Sequence, residues 1–285
     1  MAKSTSSDGS RRWIRCSCGR YVVHVREYVS LFSTEKNNNT GTDEGLPKVP
    51  YELIKEGKIN SSPTGEPISV IFGTNRDELA LFLIAMPFVI PHIKLPFNDN
   101  DMTLVASHLT SYHSNWGDVE AQKIIDAYPR SDYKTGNMQI IRAGTDFCFV
   151  CGTRDAARAL ASHNISVYVY SFEFEGDSYH DPSSVLCTLD DELLCGVYHG
   201  SEVAYVFQDP SSSSERTKNM MRTIGSYWTQ MAKTGSPNGE GLVNWPRFTA
   251  ENDLHLKLDE NVTVESGLRK ETCDFWDSLP KEEPY

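Results

Sequence analysis

Two stretches of apolar, β-branched and aromatic residues stand out along the chain, and each ends in a polar break that carries an ionisable side chain. Ile68-Ser-Val-Ile-Phe72 runs into Gly73-Thr-Asn-Arg-Asp-Glu78 and then turns apolar again through Leu79-Ala-Leu-Phe82, the layout of strand, tight Gly-bearing turn and helix. Ser166-Val-Tyr-Val-Tyr-Ser-Phe-Glu-Phe174 is strand-like throughout. The alternation in Leu254-His-Leu-Lys-Leu258 predicts a closing strand. Apolar residues at helical spacing predict helices over Tyr51–Gly57, Met102–Tyr112, Asp118–Tyr128, Glu215–Lys233 and Leu268–Leu279, and a longer one over Met138–His163 with a polar break at Gly152-Thr-Arg-Asp155. Met221, Ile224, Trp228 and Met231 form one stripe of the Glu215 helix and are assigned to the core. Gly235-Ser-Pro-Asn-Gly239 ends that helix with turn chemistry.

The candidate chemistry lies just past the two strands. His199, in Cys195-Gly-Val-Tyr-His-Gly-Ser-Glu202, stands between a buried strand and a segment, Glu202–Phe207, that begins a helix. Open α/β sheets keep their reactive groups on such loops. A neutral imidazole needs an acceptor for its second N–H, to fix the tautomer and stabilise the imidazolium that forms, and Glu78 supplies a carboxylate in an equivalent place. A plainer reading competes: Asn75 with Glu78 has the spacing of a helix-capping pair, and a carboxylate there complements the helix dipole. His108 and His113 are off the register that shares a ligand and are read as structural. Cys16, Cys18 and His24 do not complete a metal site, so neither metal nor cofactor is expected.

Composition narrows the partners. A chain of 285 residues that is 39% hydrophobic and 11% aromatic can bury a sizeable core. A net charge of −12 argues against nucleic acid and anionic membrane surfaces as partners, since both need clustered Lys and Arg. Ala80–Lys94 is too short and too interrupted by Pro87 and Pro91 to span a bilayer. Four Asn-x-Ser/Thr sequons, at Asn38, Asn60, Asn164 and Asn261, suit a secreted surface, yet Met1–Arg20 has no apolar core of a signal peptide. Residues 1–41 lack helical or strand periodicity and are expected to be disordered or uncharacteristic, with the folded part over 42–285.

Taken together the motifs resemble a known family. His199-Gly-Ser-Glu202 with Tyr205-Val-Phe207 resembles the histidine motif of type-B carboxylesterases and cholinesterases, and Gly73-Thr-Asn-Arg-Asp-Glu78 with Phe82 resembles their acid motif. Tyr227-Trp228, Ala232-Lys-Thr-Gly-Ser-Pro-Asn238, Asn244-Trp-Pro-Arg-Phe-Thr249 and Cys273-Asp-Phe-Trp276 follow in the family order, and the likeness covers about residues 43–280. It implies an α/β-hydrolase fold, C-terminal portion only, with an incomplete central sheet between flanking helices. It also implies that His199 is the general base and later acid, Glu78 its orienting acid, and Glu202 a supporting carboxylate. Leu81 and Phe82 would line the substrate gorge. Cys151 would pair with Cys273, and Cys187 with Cys195, which favours an oxidising, secreted or extracellular setting. Leu79 stands where the family usually has Gly and is expected to crowd the turn after the acid.

The chain has no Gly-x-Ser-x-Gly elbow: Gly200-Ser201 and Gly225-Ser226 lack the second glycine that lets a helix pack beneath the serine. The resemblance therefore implies the C-terminal half of a carboxylic ester hydrolase whose serine lies outside this chain. An acid and a histidine alone polarise water but form no acyl-enzyme, so the chain alone is expected to be inactive. The expected partner of the intact form is a small-molecule ester. The alternative is a non-catalytic cholinesterase-like interaction module, against which the retention of both Glu78 and His199 speaks.

Overall fold

Strand β1 (Ser69–Asn75) lies parallel to β2 (Ser166–Phe172), in a register that runs from Ser69 opposite Ser166 to Asn75 opposite Phe172. The computed structural model describes residues 50–59, 68–90, 92–94, 97–98, 100–111, 113–176, 196–208 and 214–280. Residues 1–41, the sequons at Asn38 and Asn60, the Cys16, Cys18 and His24 group and the expected Cys187–Cys195 bridge lie outside these. Among the described residues the sheet continues with β3 (Leu254–Leu258), parallel to β2, and β4 (Thr263–Ser266), antiparallel to β3, in the order β1-β2-β3-β4. Such a mixed sheet with flanking helices is part of an α/β fold.

Every residue of β2 is buried, which is why its sequence is apolar on both faces. Tyr168, Tyr170 and Phe172 face Trp245 and the helix carrying Ile224 and Tyr227, while Val167 and Val169 face Leu53, Ala157 and Leu160. Gly73 of β1 makes room for this packing: a Cβ there would stand 2.0 Å from the Tyr170 ring.

In chain order the helices are α1 (Pro50–Lys55), α2 (Met86–Val89), α3 (Asp101–Thr110), α4 (Asp118–Ala127), α5 (Gly136–Thr145), α6 (Cys151–Ser162), α7 (Val203–Val206), α8 (Glu215–Thr234) and α9 (Lys270–Ser278). A 3-10 helix, Glu78–Ala85, follows β1. α8 starts on a Ser214 hydroxyl that accepts from the Thr217 N–H and ends at Gly235 with φ of 71°. α3, α4, α5 and α9 enclose a second core around Ile124, Ile140, Phe147 and Trp276.

Four expectations need correction. The break at Gly152-Thr-Arg-Asp155 does not exist: α5 passes through a π-helical turn, Asp146–Val150, directly into α6. Arg154 of that stretch is buried with partners, donating to Asp253 Oδ2 and to the Leu268 carbonyl at 2.5 Å each. The helix begun at Glu202 closes only the single turn α7, ended by Gln208 at φ of 58°. The segment after β1 is 3-10 rather than α-helical, and the residue at its start, Asp77, makes no side-chain cap. The sequence reading had no β4, whose four side chains are all exposed and leave no apolar period.

The disulfide Cys151–Cys273 joins the start of α6 to α9 across a sequence separation of 122. No helix among the described residues is long and apolar enough to cross a membrane.

Candidate active site

The C-terminal ends of β1 and β2 present their following loops to one another. The Asp77 N–H donates to the Val197 carbonyl at 2.9 Å, and the Val197 N–H returns to Asp77 Oδ2 at 3.1 Å. Gly196, at φ of 148°, fits this contact because a Cβ would fall 2.8 Å from that same oxygen. Arg76 and Arg142 flank the Asp77 carboxylate at 2.9 and 3.7 Å, and Arg142 also donates to the Arg76 carbonyl at 3.0 Å. The two loops are thus clipped together one residue before Glu78 and two before His199.

Glu78 is only 4% exposed, while about a third of the His199 side chain reaches the surface, at 29%. His199 Nδ1 lies 2.7 Å from Glu78 Oε2. An ionised carboxylate only accepts, so Nδ1 carries the proton and Nε2 is the basic nitrogen of the neutral ring. The other oxygen, Glu78 Oε1, accepts from the Asn75 N–H at 2.7 Å. Asn75 then reaches across the site: its Nδ2 donates to the Tyr198 carbonyl at 2.7 Å and to Glu202 Oε2 at 2.5 Å, with Ser201 Oγ at 3.4 Å.

The charges follow from this geometry. The hydrogen bond to Glu78 holds the His199 imidazole above its ordinary value, against the opposing effect of burial. Burial pushes the Glu78 carboxyl up, while the bonds from His199 and the Asn75 N–H draw it back. An imidazole made more basic by a buried carboxylate is suited to accept a proton at Nε2 and hold it as the imidazolium.

Two rings enclose the imidazole. Phe82, on the 3-10 helix, has its centroid 5.6 Å from that of His199, and Phe149 lies at 5.0 Å. Phe149 belongs to the π-helical turn and was missed from sequence, where it is one apolar residue among several. Leu81 is half-buried on the same 3-10 helix. Leu79 does not crowd the turn: its N–H donates to Thr145 Oγ1 at 3.1 Å, and its side chain is buried over Gly144 of α5. The structure therefore brings Glu78, His199, Glu202 and Phe82 together, while His113 stacks on Trp116 among the helices of the second core. Among the described residues no group of three or more His, Cys, Asp or Glu is placed to hold a metal ion.

The mixed sheet with flanking helices fits an α/β hydrolase, and the carboxylate and histidine stand in the chain order of that class. A model of the carboxylesterase family matches residues 25–276, and the chain belongs to that family. It is 28% identical over 239 residues to Carboxylesterase 4A of Bos taurus, covering 81% of this chain and 40% of that protein. Carboxylesterase 1C of Mus musculus is 26% identical over 247 residues, with 84% and 41% covered. The medium-chain fatty acyl-CoA hydrolase precursor of Anas platyrhynchos is 28% identical over 245 residues, with 83% and 41% covered. The chain spans about two fifths of the length of these curated relatives.

Proposed function

We propose that Glu78 and His199 are the acid and the base of a serine ester hydrolase, and that this chain supplies that pair to a site whose nucleophile lies on another part of the fold. His199 takes the proton of the serine hydroxyl at Nε2 as that oxygen attacks the ester carbonyl, then gives it to the departing alcohol. Glu78 keeps the imidazole in the productive tautomer and offsets its charge. Glu202 acts through Asn75 rather than on the substrate. Leu81, Phe82 and Phe149 form the apolar wall for the acyl or alcohol group. The observation that carries the reading is the 2.7 Å bond between His199 Nδ1 and Glu78 Oε2. Family membership supports ester hydrolysis as the reaction.

The test is a chimera in which residues 68–280 replace the matching segment of a carboxylesterase relative. It is expected to turn over a p-nitrophenyl ester, with at least roughly 10³-fold loss on His199→Ala and a smaller loss on Glu78→Gln. Full turnover after His199→Ala overturns the assignment. The 285-residue chain alone is expected to be inactive, and His199-dependent turnover by it would refute the need for a separate nucleophile.

The Cys151–Cys273 bridge supports a secreted or lumenal setting for the protein. The exposed sequon residues Asn164 and Asn261 are the proposed glycan acceptors. A second reading, a non-catalytic interaction module, draws on the strongly exposed Phe88 and Phe207. Binding of a partner that survives Glu78→Ala together with His199→Ala would favour it.

A further inference from the structure

We propose that Asn75 is the positioning residue of this site, the side chain that sets the distance between the acid and the histidine. The inference rests on the reading of Glu78 and His199 as a proton-transfer pair.

Asn75 is the last residue of β1 and is 2% exposed, so its backbone is fixed by the sheet through its pairing with Phe172. Its spacing from Glu78 reads in sequence as a capping pair, and the backbone half of that pair forms, the Asn75 N–H on Glu78, while the Asn75 side chain goes elsewhere. Its backbone N–H holds Glu78 Oε1, which leaves Oε2 directed at the imidazole. Its side-chain amide holds the histidine loop on both sides of position 199, at the Tyr198 carbonyl before it and at Ser201 Oγ and Glu202 Oε2 after it.

The amide orientation follows from these partners. A carbonyl and a carboxylate can only accept, so the NH₂ group must face them and Oδ1 must point away. Oδ1 is then buried with no hydrogen-bond partner among the described residues. Buried acceptors are seldom left unmatched, and an amide chosen for packing alone has no reason to sit this way. An aspartate could not replace it: its carboxylate would face Glu202 and the Tyr198 carbonyl with no side-chain donor for either, although the backbone N–H to Glu78 would remain. The Asp77–Val197 clip ties the same loops together independently of Asn75. Loss of the Asn75 side chain should therefore free the turn around His199 without separating the strands.

The test is nuclear magnetic resonance of the 285-residue chain labelled at histidine, with the His199 signals assigned by His199→Gln. Wild type is expected to show a far-downfield, exchange-protected Nδ1 proton and a raised imidazole pKa. In Asn75→Ala and Asn75→Leu that proton should exchange roughly tenfold faster, as for loss of one hydrogen bond, and the pKa should fall toward its ordinary value. A change in melting temperature alone, with wild-type exchange and pKa at His199, would overturn the proposal. If both variants fail to fold, Glu202→Ala keeps Asn75 and removes its carboxylate acceptor; faster exchange there supports the proposal and unchanged exchange rejects it. Glu78→Gln separates the two claims. A His199 pKa that ignores Glu78→Gln refutes the pair itself, whereas a pKa that responds to Glu78→Gln but not to Asn75→Ala refutes only the role of Asn75.

Discussion

Leu79 Cδ2 occupies the place that a Cβ on Gly144 would need, at 2.1 Å from it, so the residue after the acid and the glycine of α5 form one steric unit. The bulk of Leu79 leaves the turn of Glu78 undisturbed because the helix offers no side chain opposite. Gly144→Ala should destabilise by about 1–3 kcal/mol through overpacking, despite alanine's better helix propensity. Leu79→Ala should cost about 2–4 kcal/mol by cavity formation. Made together, the two changes should cost less than the sum of their separate effects, and urea unfolding of the four proteins measures that coupling. Strict additivity would show that the positions do not touch.

Asp146 predicts a pH dependence. Its carboxyl is fully buried and is pushed up to about 6 by that burial, although Thr272, Arg142 and Tyr128 draw it down. Tyr128 donates to its Oδ2 at 3.1 Å and Arg269 lies 3.6 Å from Oδ1. A folded-state value above the ordinary 3.8 means that protonation favours the folded state. The contribution is complete below about pH 4 and is lost as pH rises through 6. Stability of the wild type relative to Asp146→Asn should therefore fall by up to ~3 kcal/mol between pH 4 and 6.5 in chemical unfolding curves. A pH-independent difference would exclude this account.

Reduction of the Cys151–Cys273 bridge should cost about 2–5 kcal/mol, because it opens a long covalent loop in the unfolded chain. Thermal melts with and without reductant test this, and the effect of reductant should be smaller by this amount in the variant carrying Cys151→Ala with Cys273→Ala.

Arg154, 1% exposed, is the cation of a buried pair with Asp253, and Arg158 approaches the same carboxylate at 3.7 Å. Arg154→Met should cost about 3–5 kcal/mol, since Asp253 would keep a buried charge without its main partner. Adding Asp253→Leu should restore much of that loss, and a double variant no more stable than Arg154→Met would show that the pair's charge is not what matters.

Much of this arrangement was legible before any coordinates. β1, β2, β3 and α8 announce themselves by apolar period, and Glu78 by its place just past a strand, whereas His199 follows no described strand directly. The π-helical turn was not legible, because Asp146-Phe-Cys-Phe-Val150 differs from an ordinary helical run only in register, and that register is what carries Phe149 to the imidazole. Arg154 looked like a break because its partner, Asp253, is 99 positions away. Asn75 was legible as a residue but not in its role: spacing shows that it can reach Glu78, whereas its hold on Tyr198 and Glu202 depends on how β1 and β2 pair.

That pairing has a consequence for how the molecule comes into being. The acid and the histidine are 121 positions apart, and the parallel strands that align them have no short hairpin to start from. Contacts so distant along the chain form slowly, since loop closure must come before any gain from pairing. During synthesis Glu78 emerges long before the imidazole that it contacts, and before β2, the strand that pairs with its own. The contact between Glu78 and His199 is thus a late one, made only after the segment that carries the imidazole has joined the chain.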